Sequence, residues 1–503
     1  MAGRLRGRAG ASRRRTRYKE RMNAEAEPFS PPPGRGLFCN RTLNMRSIRA
    51  IGFDMDYTLV HYRVQEWEKR AFEHARSRLL DLGHPVFGIR FCASWFARGL
   101  ILDLELGNIV KANRFGRVHR ASHGVELLPH EQMRRVYGQV WIDLADERWV
   151  FLNTLFSLSE ACVYAQMVDL LDRGALSRDL DYRALHGIVS DALNAAHLEG
   201  QLKAEIVADP ERFVELDEDL PVALSDLKQA GKRLFLATNS EWHYAEPIMG
   251  HAFDRFLGGG KWRDLFDLVI VQTRKPGFFE GNAPFELMED TGRWAPCPDR
   301  LPEGGILRGG NAGLVQRRFG AEGEEVLYVG DHVYADVHVS SRIRRWRTVL
   351  VLRELEAEIA AEQEFADDQR RLREAMRRKD ALDREQAGLR LCLQRLEHGM
   401  PPPAAAHLDP PSIHERLRAI RAEAEAIDAK IAPLAKRASE LGNARWGPLM
   451  RAGNDKSRLA RQIERHADVY TSRVSNLLYL TPFGYLRAAR GSLPHDADRG
   501  PAS

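Results

Sequence analysis

Long apolar runs are missing from this chain. No stretch of its 503 residues approaches the roughly 18 apolar residues that a membrane helix needs, which excludes a helical membrane span. Cysteine is scarce as well: Cys39, Cys92, Cys162, Cys297 and Cys392 are five in number, widely spaced, and form no Cys-x-x-Cys. That pattern argues against a disulfide framework and against a cysteine zinc site, and it points to a reducing, cytoplasmic setting. The arginine-rich start has no apolar stretch behind it, so it does not read as a secretory signal. No convincing internal repeat is present.

Charge of one sign is not in excess over most of the chain. Lys and Arg number 75 against 70 Asp and Glu, a formal net of +5. Residues 1–21 hold eight arginines and one lysine against one glutamate, a net of +8, so the other residues sum to −3. The basic character therefore belongs to the tail. With Pro31-Pro32-Pro33-Gly34 behind it, the segment 1–36 reads as disordered. Weak, non-specific contact with RNA or acidic surfaces through this tail is the one nucleic-acid signal. A hydrophobic content of 44% fits a globular chain with a sizeable core.

What the chain does have is four apolar runs that end in polar residues. Ile51-Gly52-Phe53 leads into Asp54-Met55-Asp56-Tyr57-Thr58-Leu59. Such a run reads as a buried strand ending at its carboxyl edge, where open α/β sheets place their sites. Two carboxylates turned into one crevice repel unless a cation or a shared proton intervenes. Oxygen-only ligands favour Mg²⁺. A metal-held Asp54 is free to attack phosphorus, and Asp56 can serve as acid and base. Leu234-Phe235-Leu236-Ala237 then ends in Thr238-Asn239-Ser240. Those residues can cradle a phosphate or cap a helix. Leu268-Val269-Ile270-Val271 delivers Lys275 just before Pro276, where a cation can neutralise phosphate and nucleophile. Val326-Leu327-Tyr328-Val329-Gly330 delivers Asp331 and, five residues on, Asp336. Asp331 would complete the metal site, and Asp336 would support Lys275 or the metal shell. Each motif taken alone has an ordinary reading as turn, cap or loop.

The four motifs in this order resemble the haloacid dehalogenase superfamily of phosphohydrolases. Gly52–Leu59, Leu152-Asn153-Thr154-Leu155-Phe156, Phe235–Ser240, Arg274-Lys275-Pro276 and Gly330-Asp331-His332 are similar to the cytosolic purine 5′-nucleotidase family, which prefers IMP and GMP. The similarity runs from about Asn40 to Pro494, through Tyr470 and Asn476-Leu477-Leu478-Tyr479. The resemblance implies an α/β fold with a Rossmann-like core of parallel sheet flanked by helices, an inserted α+β cap, Mg²⁺ and an aspartyl-phosphate intermediate. Carried over, Asp54 is the nucleophile and Asp56 the acid/base. Thr238 and Lys275 hold phosphate, while Asp331 binds Mg²⁺ with Asp54 and the Asp56 carbonyl. Phe156 matches the position that stacks on the purine, and His197 and Lys203 match residues that face the nucleotide. Two positions depart: Ser190 and Asn194 stand where the family has an arginine and an aspartate. Losing charged readers of the base weakens the IMP/GMP assignment. The family also has a nucleotide effector site, and Tyr334 stands where it has an aromatic residue.

The organisation expected is a core split into 37–62 and 210–353 around a cap at 63–209, a helical region at 354–490 and a flexible tail at 491–503. Within the core, Asn282 to Gly313 is rich in Gly and Pro and reads as a long excursion near the site. In the helical region, Glu354 to His398 carries Leu372, Met376 and Leu382. Pro411 to Leu441 carries Ile413, Leu417, Ile420 and Ile427, and a third helix is expected from about Ser457 to Leu478. Long charged helices are solvated hairpins or subunit interfaces; the resemblance implies a homo-oligomer. The substrate expected is a nucleoside 5′-monophosphate.

Overall fold

Ala50-Ile51-Gly52-Phe53 is apolar at every position, the pattern of a strand covered on both faces. In the computed structural model, which describes residues 30–198, 200–298, 300–401 and 409–491, this segment is buried throughout and lies mid-sheet. The strands of the main sheet are β1 (Leu37–Cys39), β2 (Ala50–Phe53), β3 (Arg233–Ala237), β4 (Leu268–Val271), β5 (Phe285–Met288), β6 (Trp294–Pro296), β7 (Gly305–Gly309), β8 (Val326–Gly330), β9 (Arg347–Val351) and β10 (Val469–Thr471). Their order in space is β1-β10-β9-β8-β2-β3-β4-β7-β5-β6. Neighbours from β10 to β7 pair in parallel. Antiparallel pairing is confined to β1 at one edge and β5 and β6 at the other. A Cβ at Gly52 would sit 2.2 Å from the Phe235 ring and 2.7 Å from the Tyr328 ring. Glycine there lets two aromatic rings close over β2.

Three expectations about the core need correction. The Asn282–Gly313 stretch is not an excursion: β5, β6 and β7 all come from it. The third C-terminal helix stops early, at Arg458–His466, and the chain then enters the sheet as β10 between β9 and β1. Val469-Tyr470-Thr471 is β-branched and aromatic, which suits a strand. Asp468 pins the entry by accepting from the Thr348 amide (2.9 Å) and Arg347 Nε (2.8 Å). Arg35, assigned to the disordered tail, is docked: its guanidinium donates to Asn476 Oδ1 (2.7 Å), Ser475 Oγ (2.8 Å) and Asp219 Oδ2 (2.8 Å). The rest of the expected tails, 1–29 and 492–503, lies outside the described residues.

Between β2 and β3 the chain builds an α+β insertion. Its helices include α1 (Val64–Asp81), α2 (Ser157–Asp172), α3 (Tyr182–Leu198) and α4 (Gln201–Ala208). On α1, Trp67, Ala71, Phe72, Ala75 and Leu79 recur at helical spacing and are buried. Five short antiparallel strands, between Ile101 and Phe151, close around Ile101, Val110, Ala121, Tyr137 and Trp149. No helix among the described residues is long and apolar enough to cross a membrane, and all five cysteines are free thiols.

Glu68 of α1 is fully buried, with Oε2 accepting from the Ser159 amide of α2 at 3.0 Å. Burial lifts its carboxyl from the ordinary 4.5 to about 8. The folded protein thus keeps a proton there that the unfolded chain releases, so stability falls as pH rises across that window. Glu68→Gln, a neutral stand-in, is expected to out-melt the parent by a gap that widens from pH 5 to pH 8, on the order of a few kcal/mol at the upper end. Thermal melts at both pH values check it; a constant gap contradicts it.

The contacts divide the chain into two units, one running to Glu356 and resuming at Leu449, the other Ala357–Pro448. The expected helical region at 354–490 is therefore only in part a separate body. The smaller unit is a hairpin of α5 (Ala366–Glu397) and α6 (Pro410–Glu440). Leu382 and Leu389 on one helix, and Ile413, Ile420 and Ile427 on the other, are buried at seven-residue spacing. Met376 is exposed, because the seam runs through Ala375 one position earlier. Ion pairs Arg378–Glu423, Glu385–Arg416 and Asp368–Arg437 flank the seam.

Candidate active site

Parallel strands release their next residues at one edge of the sheet, so the ends of β2, β3, β4 and β8 meet. Asp54 leaves β2 with its amide donating to the Val329 carbonyl at 2.9 Å. Lys275 arrives on a loop whose Gln272 and Arg274 both have positive φ, at 48° and 55°. Asn239 holds that loop: its Oδ1 accepts from Thr273 Oγ1 (2.8 Å) and from the Lys275 amide (2.7 Å). Thr238 is buried, and its Oγ1 accepts from the Ser240 amide at 3.0 Å.

The Lys275 ammonium has three donors, and three oxygens take them. Asp54 Oδ1 lies at 2.8 Å, Asp336 Oδ1 at 2.7 Å and the Tyr328 hydroxyl at 3.2 Å. Tyr328 passes its own hydrogen to the Ala237 carbonyl at 3.1 Å. Asp336 Oδ2 accepts from the His332 amide at 3.1 Å. A Cβ at Gly330 would lie 2.5 Å from the Cβ of Asp336, so only glycine admits this packing. Burial opposes the charge on Lys275, yet Asp336 and Asp54 hold its pKa well above the usual lysine range.

Among the described residues, Asp54, Asp331 and Asp336 form a group spaced to hold a metal ion, their ligand atoms all within 4.8 Å of one another. All three are buried, and Asp331 Oδ2 has no hydrogen-bond partner. Burial pushes Asp54 up to about 7 although Lys275 pulls it down, and Asp336 and Asp56 push it further up. Burial likewise drives Asp331 well above the usual carboxylate range. An orphaned buried carboxylate oxygen and an excess of negative charge beside one lysine are what a divalent cation relieves, and an all-oxygen donor set fits Mg²⁺. Asp336 belongs to this group directly, beyond its support of Lys275. The Asp56 carboxylate stands apart from it. Its Oδ1 accepts from the Tyr62 hydroxyl (2.5 Å) and its Oδ2 from Ser240 Oγ (2.8 Å), with Tyr244 donating to Tyr62 (2.9 Å).

The residues expected around a base are placed differently. Phe156, half-buried before α2, packs edge-on against Tyr57 (4.7 Å between centroids) and Trp67 (5.6 Å). Lys203 on α4 is 2.7 Å from Glu241 Oε2 and sits over the Tyr244 ring. Ser190 Oγ donates to Glu160 Oε1 (3.2 Å), which His186 Nε2 also reaches at 3.0 Å. Asn194 is exposed on α3. The His197 side chain lies outside the described residues. Tyr62, Tyr244 and Tyr328 escape the motif reading. The signal available for Tyr328 was a hydroxyl inside an otherwise apolar strand.

A mostly parallel sheet, an α+β insertion after the first motif, and aspartates and a lysine gathered at the strand ends make up a fold of the haloacid dehalogenase type. Within it the chain belongs to the 5′-nucleotidase family, whose profile matches residues 37–498. A 5′-nucleotidase domain-containing protein of Dictyostelium discoideum is 27% identical over 495 residues, 95% of this chain and 78% of that protein. The human 5′-nucleotidase domain-containing protein 2 is 31% identical over 340 residues, and the match spans 64% of each. Among solved structures, an archaeal β-phosphoglucomutase from a Pyrococcus strain aligns with 61% of this chain and 87% of its own, at 12% identity and a TM-score of 0.29. A haloacid dehalogenase-like hydrolase from Streptococcus pneumoniae aligns with 61% and 85%, at 12% identity and a TM-score of 0.25. Neither relative's name states a base preference, so the match stops at the family and does not extend to the IMP/GMP-preferring branch.

Proposed function

We propose that this protein is a Mg²⁺-dependent 5′-nucleotidase that hydrolyses purine nucleoside 5′-monophosphates such as IMP and GMP to nucleoside and phosphate. The observation that carries the reading is Lys275 Nζ, lodged 2.8 Å from Asp54 and 2.7 Å from Asp336 in a buried carboxylate group. Mg²⁺ held by Asp54, Asp331 and Asp336 would supply charge neutralisation for the phosphoryl group. Lys275 exchanges one of its three hydrogen bonds for a phosphate oxygen, with Thr238 beside it. Asp54 attacks phosphorus in line, the bond to the ribose 5′-oxygen breaks, and protonated Asp56 gives that oxygen its proton. Asp56 then takes a proton from water, which attacks the aspartyl phosphate and frees Asp54. Tyr62 and Ser240 keep the Asp56 carboxyl aimed throughout. General acid help of this kind contributes about 10²–10⁴-fold. A nucleoside hydroxyl entering in place of water gives phosphotransfer by the same route.

Phe156 supplies an aromatic edge for the base, and Lys203 and His197 the polar contacts. A substrate panel tests this. IMP and GMP are expected to exceed UMP, CMP and sugar phosphates by about tenfold or more in kcat/KM, the scale of a pocket contact. Equal rates on all of them overturn the purine assignment. A second reading, a phosphatase for another phosphomonoester, is favoured by one observation: Lys203 and Ser190 are already engaged by Glu241 and Glu160. A sugar phosphate at the head of the panel would establish it.

A further inference from the structure

Arg98 belongs to none of the four motifs, yet it is 4% exposed beside the carboxylate group. It sits just before the insertion strand Ile101–Asp103. Neighbouring Gly99 donates its amide to the Leu152 carbonyl at 2.6 Å, and Leu152 returns its amide to Leu100 at 2.9 Å, so Arg98 rides on the insertion's own sheet. Its Nε donates to the Asn153 carbonyl at 2.7 Å, three residues before Phe156. Its Nη2 donates to the main-chain carbonyl of Asp331. Its charge faces Glu354, whose Oε2 is 3.7 Å from Nη1 and whose two oxygens have no hydrogen-bond partner.

A buried guanidinium is costly to place, and a fastening role needs no charge at this point. What singles out its target is how the three aspartates are held. Asp54 is fixed by Lys275, and Asp336 by Lys275 and the His332 amide. Asp331 Oδ2 is buried with no hydrogen-bond partner, so no such contact holds that oxygen in place. The Asp331 backbone is what Arg98 grips. Its rigid fork can span two carbonyls at once, which an ammonium cannot do in the same geometry.

We infer that Arg98 is a positioning residue for the cation site: one guanidinium clasps the Asp331 and Asn153 carbonyls, aiming the Asp331 carboxylate and coupling it to the insertion segment that leads into Phe156. The inference rests on the reading that Asp331 helps to hold a cation. It places in one side chain the link between metal binding and the part of the insertion that meets substrate. Residues that orient metal ligands typically carry 10–100-fold in metal affinity.

The test is titration of the full-length protein with MgCl₂ by calorimetry, without substrate. Arg98→Lys keeps the charge and loses the fork; Arg98→Met keeps much of the bulk and loses both. Each is expected to bind Mg²⁺ at least tenfold more weakly than the parent. In turnover, kcat at subsaturating Mg²⁺ should fall while KM for the preferred substrate moves less than about threefold. Millimolar methylguanidinium should restore Mg²⁺ affinity to Arg98→Ala but not to Arg98→Lys, whose side chain fills the space. A folded Arg98→Lys with Mg²⁺ affinity within twofold of the parent overturns the inference and leaves a fastening role. Should no Arg98 variant fold, Glu354→Gln decides, since it keeps the guanidinium and removes its counter-charge: a threefold or greater loss of Mg²⁺ affinity supports the inference, and no change overturns it. A parent protein that binds Mg²⁺ but hydrolyses no nucleoside monophosphate sinks the nucleotidase reading alone, because calorimetry needs no substrate.

Discussion

Asp54→Asn is expected to abolish turnover and to leave the fold at least as stable as the parent in Mg²⁺-free buffer. The amide cannot attack phosphorus, so the loss should approach about 10⁶-fold, the scale seen when an enzyme's nucleophile is removed. The stability half follows from the crowding of Asp54, Asp331 and Asp336. Burial raises Asp54 from the ordinary 3.8 to about 7. Between those values the folded state binds a proton that the unfolded state has released, so Asp54 costs stability increasingly as pH rises through that window. Asparagine removes that slope, and Lys275 keeps Asp336 as its partner at 2.7 Å. Melting curves at pH 5 and pH 8 should show the variant gaining on the parent with pH. Added Mg²⁺ should reverse the order, because only the parent's site gains the full binding energy, by RT ln(1 + [Mg²⁺]/Kd). A variant that unfolds early in Mg²⁺-free buffer contradicts the picture of repelling carboxylates.

Lys275→Met is expected to be damaging in both respects. It strands Asp54 and Asp336, which both rely on that ammonium. Removing one partner of a buried ion pair typically costs about 3–5 kcal/mol. The Tyr328 hydroxyl would keep the Ala237 carbonyl and lose little. The damage should be smaller at pH 5, where the raised Asp54 carboxyl takes up a proton, than at pH 8. Lys275→Arg is not expected to rescue it, since oxygens at 2.8, 2.7 and 3.2 Å around a single nitrogen leave no room for a planar fork. Denaturant midpoints at the two pH values measure this. A Lys275→Met protein as stable as the parent at pH 8 would show that the ammonium is not what balances the group.

The sheet and the location of the carboxylate group were legible because each motif is an apolar run that turns polar abruptly. Asp54, Lys275, Asp331 and Asp336 are single residues whose place follows from the strand before them. What supports them was not legible. Tyr62, Tyr244 and Ser240 converge on Asp56 from two segments more than 170 residues apart in sequence, and no periodicity announces such a meeting. Asn239, read from the sequence as a phosphate ligand, presents its Oδ1 to the Lys275 loop, a contact that no motif announces. Val469–Thr471 was hidden because three residues of strand follow a true helix with little warning. Met376, one of the apolar residues noted on its helix, lies one position off the seam at Ala375, in a stretch dense in alanine and arginine. The base contacts were the least legible. Phe156, His197 and Lys203 were carried over from a resemblance, and Lys203 is found engaged by Glu241.

The central claim is that Asp54 accepts a phosphoryl group. The most direct measurement mixes the protein and Mg²⁺ with IMP, quenches in acid within the first turnover, and reduces the acyl phosphate with tritiated borohydride, which expels phosphate and leaves a labelled homoserine for peptide mapping. The modification is predicted on the peptide carrying Asp54, and it should vanish in Asp54→Asn. Rapid hydrolysis of IMP with the mark on another residue, or with no covalent species at any time, would contradict the account.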